Sequence, residues 1–557
     1  MSNTPLVSRR YHSFRGVDFR GDENNFARSP DSLNMWKDYS GIDSIQTRPA
    51  MEMNTPFDDP VYGVFFFNGM MLVHSGSKLY QVDQNGKNEI YKGLNAVPSD
   101  GFIYNNVWYF KDGKNYLQHD GIEVNAVEGY IPTTTIARKP AGGGTLYEDV
   151  NLLSPFRINT FLADGESTEF HLDAIQIDEG FAPIAKIDDV ETHNYTIDYE
   201  NGVVCFPEAP PAPLTDGQDN VSILFRKTVP GYSDRIQKCT LLQVFDNRVF
   251  FSGNPDFPNV VWHCSLNDPT YCSDLDYYGE GMDTAAVRGM VAGNNALWVF
   301  REPSQANTTV FYHTPTLDAD YGKIYPSQHS SVTTGCVGKA INFNDDIVFF
   351  SERGMEGISG DITTEQVLAH RSSMVDRKLT VEQCYRDMIL EEWEGYLLVF
   401  IDEKVYLADS RTSFAHEGHR EYEWFYWDLG KRITCTRVKD GVLYLGASDG
   451  VYTLTDRDAN VLSYWVTPKD KFNYPHKQKT TNKRGSVAEA TGDVSVYAKT
   501  DRTEFELVEK HESVTDSFVS RIKRKKFKDI QLKFQSETRF SLESVTLECF
   551  VGGYIKQ

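Results

Sequence analysis

One local grammar recurs seven times along this chain, and it constrains the fold more than any other feature. An aromatic or β-branched run ends in a short polar turn, and a denser apolar run follows at once. A second turn, often with Gly, then leads to a third short run. The copies occupy 61–83, 100–121, 241–265, 287–314, 339–361, 388–409 and 434–456. Their first turns read FNG, YNN, FDN, AGNN, FNDD, WEG and KDG. Asn, Asp and Gly tolerate the positive φ that a tight hairpin turn demands. The second run of each copy (MMLVHS, VWYFKD, RVFFSG, ALWVFRE, IVFFSE, YLLVFID, VLYLGA) is the most apolar, which predicts an inner strand buried on both faces. The starts at 241, 287, 339, 388 and 434 lie 46, 52, 49 and 46 residues apart. Periods of ~40–50 residues with several strands per unit predict a β-propeller. Seven blades are expected, or six if one unit belongs to an adjoining sheet. No WD dipeptide or Kelch double glycine recurs in register.

The array is interrupted, which sets the domain plan. Residues 1–50 read as an extended arm and 51–132 as the first part of the propeller. Residues 133–232 read as an inserted small β-sandwich with its linkers, TTTIARKPAGGG (133–144) being the first linker. FLADGESTEFHLD alternates around a DG turn, and YTIDYENGVVCF carries an NG turn between strands. An insert at a surface loop is expected to be separable, here over 145–228. Residues 233–462 return to the propeller, and 463–557 form a C-terminal β-rich domain. MVDRKLTVEQCYRDM (374–388) is the best helix candidate. The whole is expected to be mainly β.

Charge and cysteine usage narrow the function classes. Acidic residues number 79 against 56 Lys and Arg, giving a formal charge of −23. Such a balance argues against generalised binding to nucleic acid or anionic membrane, although DNA could pass an acidic wall without sticking. The most apolar stretch, Gly63 to Val73, is broken by Asn68 and Gly69 and falls short of the ~20 residues of a helical span. MSNTPLVSRR leads into no apolar stretch, so synthesis in the cytosol is expected. The eight cysteines contain no CxxC pair and read as buried free thiols.

No phosphate loop, dinucleotide turn, nucleophile elbow or zinc-protease helix is present. His416 and His419 frame HEGH, but in a polar connection between strands and without a third ligand. His12, His74, His119 and His263 read as isolated side chains. Ser448-Asp449-Gly450 is a fragment of the sialidase box without its Trp. The expectation is therefore no enzyme, with no catalytic, cofactor-binding or metal-binding residue and no cofactor. One tract stands out against the acidic background: Arg521, Lys523, Arg524, Lys525, Lys526 and Lys528 fall within eight positions. It is either a solvated strand edge, where cations block edge pairing, or a docking patch for an acidic partner.

FRGVDF (14–19), NNFARSPDSLNMW (24–36) and TRPA (47–50), together with the strands of the insert, resemble the tail hub or nozzle proteins of short-tailed double-stranded DNA bacteriophages, also called tail-tube or stabilisation proteins. The resemblance implies a structural virion protein, made in the host bacterial cytoplasm and built into the tail. It implies a six-fold ring that continues the DNA conduit below the portal and adaptor ring and supports DNA retention and ejection. Its implied neighbours are other copies, the adaptor or portal ring, tail fibre or needle proteins, and duplex DNA passing without tight binding. In this sequence the arm residues that would make contacts are Arg15, Asp18, Arg28, Asp31, Asn34 and Trp36, beside the tract at 521–528. Two further classes remain: a receptor- or glycan-binding propeller, and a propeller glycoside hydrolase.

Overall fold

The computed structural model describes residues 5–21, 25–38, 44–84, 86–319, 322–359, 367–416, 419–455, 459–523 and 526–554. Six of the seven repeats form four-stranded antiparallel sheets, the other, blade six, supplies four consecutive antiparallel strands to a larger sheet, and the fold is a β-propeller. Blade one is Val61–Phe67, Met70–Ser75, Lys78–Asp83 and Gly86–Lys92. Blade two runs from Asp100–Tyr104 to Val124–Ala126, blade three from Leu241–Phe245 to Tyr277–Gly279 and blade four from Val287–Gly293 to Ser327–His329. Blade five runs from Ala340–Phe343 to Val367–His370 and blade six from Ile389–Trp393 to His419–Asp428. Blade seven takes Ile433–Lys439, Val442–Ala447 and Gly450–Thr455 from late in the chain. Its fourth strand, Ala50–Pro56, comes from the N-terminal side.

The turns explain why the repeats fold alike. Each first hairpin turn is a pair of positive-φ residues: Asn68-Gly69, Asn105-Asn106, Asp246-Asn247, Asn294-Asn295, Asn344-Asp345, Glu394-Gly395 and Asp440-Gly441. That pair is the type I′ geometry whose twist matches the flanking strands. The strand that follows is buried at every position in blades four, five and six (Ala296–Arg301, Asp346–Ser351, Tyr396–Ile401).

The chain divides into two compact units, Met1–Phe66 with Met71–Gly76 and Thr334–Gln557, and Phe67–Met70 with Ser77–Thr333. Blade one contributes to both. The second unit holds blades two to four and the insert. The insert is a sandwich of a six-stranded sheet and the three-stranded sheet Glu169–His171, Val203–Cys205, Thr196–Asp198. Phe161, Phe170, Phe206, Ile223 and Phe225 fill it. The NG turn does join paired strands. The run around Asp164-Gly165 instead crosses between the two sheets, because Phe161 ends a strand of one and Glu169 begins a strand of the other. The stretch read as a linker is also structured: Thr133–Arg138 is a strand of the six-stranded sheet, running parallel to Phe156–Phe161. A polar, Gly-flanked composition hid a strand that faces few apolar neighbours.

In the first unit the arm and the C-terminal segment are not separate modules. They share a fifteen-stranded sheet with blade six. Leu6–Tyr11 pairs with Phe540–Tyr554. The hairpin of Met35–Asp38 and Ser44–Thr47 touches blade six at Met35↔Tyr426 and the C-terminal strand at Ile45↔Leu542. The expected helix at 374–388 shrinks to Asp376–Leu379 and a single 3-10 turn, Tyr385–Asp387. Met374, Val375, Leu379, Tyr385 and Met388 are all buried against blades five and six, so core packing of a loop mimicked amphipathic periodicity.

The insert is anchored to blade three by residues inside the excision boundaries suggested by sequence. Leu152 is 2% exposed beside Phe251, Trp262, Cys264 and Cys272, and its N–H donates to Cys272 O at 2.8 Å. Asn151 accepts the Cys272 N–H at 3.0 Å and donates to Tyr130 O and Thr270 O. Removing 145–228 removes both, so that deletion is expected to destabilise blade three. Leu152→Ala alone should cost about 2–5 kcal/mol by chemical denaturation. An unchanged midpoint would show that the anchor is dispensable.

Candidate functional site

The arm residues singled out by sequence meet on the outer strand of blade six. Val17 N–H donates to Trp424 O at 2.7 Å and Phe19 N–H to Met374 O at 2.9 Å. The loop closes on itself through Arg15 N–H to Ala27 O, Asp18 N–H to Ser29 O and Ser29 N–H to Gly16 O. Gly16 has φ +77°, and a Cβ there would lie 2.0 Å from Trp424 O, so only glycine allows this approach. Asn34 also sits at positive φ. Its Oδ1 accepts from Arg48 Nε (3.1 Å) and Asp428 N–H (2.8 Å), and its Nδ2 donates to Leu462 O (2.9 Å). Arg48, from TRPA, donates as well to Pro49 O and Asp428 O, and burial pulls its pKa down to about 10. Trp36 stacks on Trp393 at 5.6 Å and 7° and meets Trp427 edge-on.

Charge in this clasp is mostly satisfied inside the chain. Asp18, 3% exposed, holds Arg20 with both oxygens. Asp31 is exposed; Tyr464 Oη donates to it at 3.3 Å, and Lys378 Nζ lies 3.6 Å away. Arg15 is half exposed and approaches Glu423 at 3.7 Å. Asp409 and Glu423 oppose one another across two strands and are 0% and 2% exposed. Thr412 Oγ1 lies 3.2 Å from one and 3.0 Å from the other, and Arg411 Nε donates to Asp409 Oδ1 at 3.1 Å. Burial raises the Glu423 pKa, while Thr412, Lys37, Arg15 and Arg28 draw it back. Burial likewise lowers that of Arg28, which sits among Glu423, Asp18 and Glu421. Glycoside hydrolysis needs two carboxylates flanking an accessible bond. These two are enclosed, Asp409 being paired with Arg411 and Glu423 lying near Arg15.

The basic tract lies on the C-terminal sheet. Arg521, Lys523, Lys526 and Lys528 are exposed, whereas Ile522 and Phe527 turn into the core. Arg524 and Lys525 fall outside the described residues. Lys526–Phe527 pairs with Thr480 and Lys479 of the long strand Lys477–Thr500. This sets Lys479 and Thr480 of KQKTTNKR (477–484) beside the tract, a pairing that neither run signals alone. Lys479 is buried; its Nζ donates to Lys528 O at 2.6 Å and Lys477 O at 3.0 Å, and burial lowers its pKa.

His416 and His419 form the closing backbone pair of the blade-six hairpin, and their side chains lie outside the description. His74, His119 and His263 each hydrogen-bond a main-chain carbonyl. Asp449, in the Ser448-Asp449-Gly450 turn, is held by Lys431 and the Tyr452 hydroxyl. Two histidine contacts escaped sequence reasoning because the partners fall at no recognisable ligand spacing. His313 Nε2 lies 2.9 Å from Glu280 Oε1, both side chains being 0% exposed. His370 lies between Asp376 (2.5 Å) and Glu356 (3.3 Å). Burial would lower its pKa, but the hydrogen bonds it donates to Asp376 and Glu356 outweigh it and raise the value to about 9. All eight cysteines are free, and all but Cys205 and Cys384 are buried. Among the described residues no His, Cys, Asp and Glu group is arranged to hold a metal ion, and no helix is long and apolar enough to cross a membrane.

No family model matches the chain, and no curated protein matches it. Among solved structures it is similar to BamB from Moraxella catarrhalis at 11% identity, over 81% of this chain and 97% of that one, with a TM-score of 0.33. The AfRom2 CNH domain shares 8% identity over 74% and 99%, with a TM-score of 0.32. An exo-beta-1,3-galactanase from Phanerochaete chrysosporium shares 9% over 55% and 94%, with a TM-score of 0.21. Likenesses of this size carry no argument about activity or partners.

Gly16→Ala should destabilise the first unit by more than about 1 kcal/mol, because a strained φ and a main-chain collision add. Thermal denaturation reads this directly, and a neutral substitution would mean the loop is not clasped. The His370 pKa lies above its ordinary 6.5, so its contacts stabilise fully below about pH 6.5 and fade as pH rises through about 9. The thermal midpoint should therefore fall over that window, and His370→Gln should flatten the fall. An equal slope in both proteins would assign it to other groups.

Proposed function

We propose that this chain is a structural subunit of a bacteriophage tail, a nozzle or hub protein whose copies surround the path of outgoing DNA. The observation that carries the reading is the clasp. Of the residues on which the resemblance rests, Gly16, Ser29, Asn34, Trp36 and Arg48 bind the arm to blade six and the C-terminal segment, and Asp18 closes the arm loop on itself through Arg20 and Ser29. A ring subunit must present the same surfaces in every copy, and termini held in one sheet serve that need. The formal charge of −23 supports the reading too, because an acidic wall lets a polyanion slide past rather than adhere. In this role the protein resides in the virion tail and meets an adaptor or portal ring and fibre or needle proteins.

The native mass of the purified full chain, and of the complex recovered from particles, tests the reading. A hexamer of the 63.3 kDa chain is expected, with weak binding of duplex DNA at moderate salt. A monomer that retains or cleaves polysaccharide would instead make it a glycan-directed propeller. Tight, steeply salt-dependent DNA binding would also count against the reading.

A further inference from the structure

We infer that the exposed cations Arg521, Lys523, Lys526 and Lys528, where Lys526–Phe527 pairs with Lys479–Thr480, form a basic pole that is a contact site for a carboxylate-rich surface on a second copy of this chain. The inference rests on the multi-copy reading above and gives it a location. Three observations carry it.

The first is the orientation of the side chains. Within the tract the two apolar residues, Ile522 and Phe527, are 3% and 0% exposed and belong to the core. The cations Arg521, Lys523, Lys526 and Lys528 are left outside. No exposed apolar anchor remains in the tract, so whatever binds there is recognised by charge. Such a contact is weak at each pair and strongly screened by salt, and it gains strength by repetition around an assembly.

The second is how rigidly the pole is held. Lys528 is pinned on both sides of its peptide: its N–H donates to Asp501 Oδ1 at 2.7 Å and its carbonyl accepts from buried Lys479 at 2.6 Å. Thr481 Oγ1 donates to Lys523 O at 3.3 Å. A solvated edge that only repels strand addition has no need of a fixed backbone. A recurring contact does, because a pre-ordered surface loses less entropy on docking.

The third observation chooses between anions. Carboxylates border the pole: Glu509 accepts the Arg521 N–H at 3.1 Å, Asp501 holds Lys528, and Glu548 holds Asn482 at 2.8 Å. A long, uniform polyanion laid across the pole would meet these acids on its way out. A bounded acidic patch fits within them. With 79 acidic residues against 56 basic ones, a second copy of this chain carries a surplus of carboxylates.

The test uses the purified full chain and measures native mass against sodium chloride concentration. Wild type should form multi-copy species at low salt that dissociate as salt rises. Lys523→Glu with Lys526→Glu should keep the thermal midpoint and weaken association by at least tenfold. Lys523→Arg with Lys526→Arg should associate as wild type does. If the reversal impairs folding, Lys523→Gln with Lys526→Gln removes the charge alone and should weaken association in the same direction. Multi-copy species unaffected by these changes would overturn the contact while leaving the ring reading intact. A wild-type chain that is monomeric at every salt concentration would overturn both. A short duplex DNA probe that binds wild type, is lost in the reversed variant and leaves self-association unchanged would assign the pole to nucleic acid and overturn the inference.

Discussion

The first unit depends on pairing the beginning of the chain with its end. Ala50–Pro56 is the fourth strand of a blade whose other three strands come from 433–455. Leu6–Tyr11 and the Met35–Thr47 hairpin pair with strands beyond residue 418. The entropy of closing so long a loop grows only slowly with its length, so the cost at equilibrium is modest. The kinetic cost is larger, since non-local strand pairing forms slowly. Blade seven cannot be complete until both parts of the chain are present, and the arm cannot lie down until blade six offers Trp424 and Tyr426.

That dependence explains why the motif residues near the N-terminus look functional in one dimension and structural in three. Glycine at 16 is required by a carbonyl 2.0 Å from where a Cβ would sit. Asn34 is required because a positive-φ residue must also satisfy two donors and one acceptor from three separate segments. The carboxylate pair Asp409 and Glu423 is tolerated inside because Arg411, Thr412, Arg15 and Arg28 surround it. A buried charge without such partners would cost several kcal/mol.

Electrostatics divide the molecule unevenly. The chain as a whole carries an acid surplus, whereas Arg521, Lys523, Lys526 and Lys528 are exposed together beside the strand that holds buried Lys479. The Ile522 and Phe527 side chains fix which way that surface faces, because burying each large apolar group is worth about 1.5–3 kcal/mol and leaves the adjoining Lys523 and Lys526 outward.

The sequence by itself determined the blades. Period, turn chemistry and the all-apolar second strand are local signals, and a type I′ turn such as Asn105-Asn106 or Asp440-Gly441 is specified by the two residues that form it. It also determined that the chain is mainly β and carries an inserted sandwich. Tertiary structure alone decided how the parts join. Thr133–Arg138 became a strand because Phe156–Phe161 offered a parallel partner, and Asn151 and Leu152 became an anchor because blade three had a place for them. The run at 374–388 stayed mostly a loop because its apolar residues satisfied two blades at once. The arm, His370 with its two carboxylates, and the pairing of the basic tract were fixed the same way. The arm and the basic tract need partners far apart in the chain, and His370 needs a paired strand and a short helix folded onto it; a period read along one strand holds no information about which segment will lie beside it.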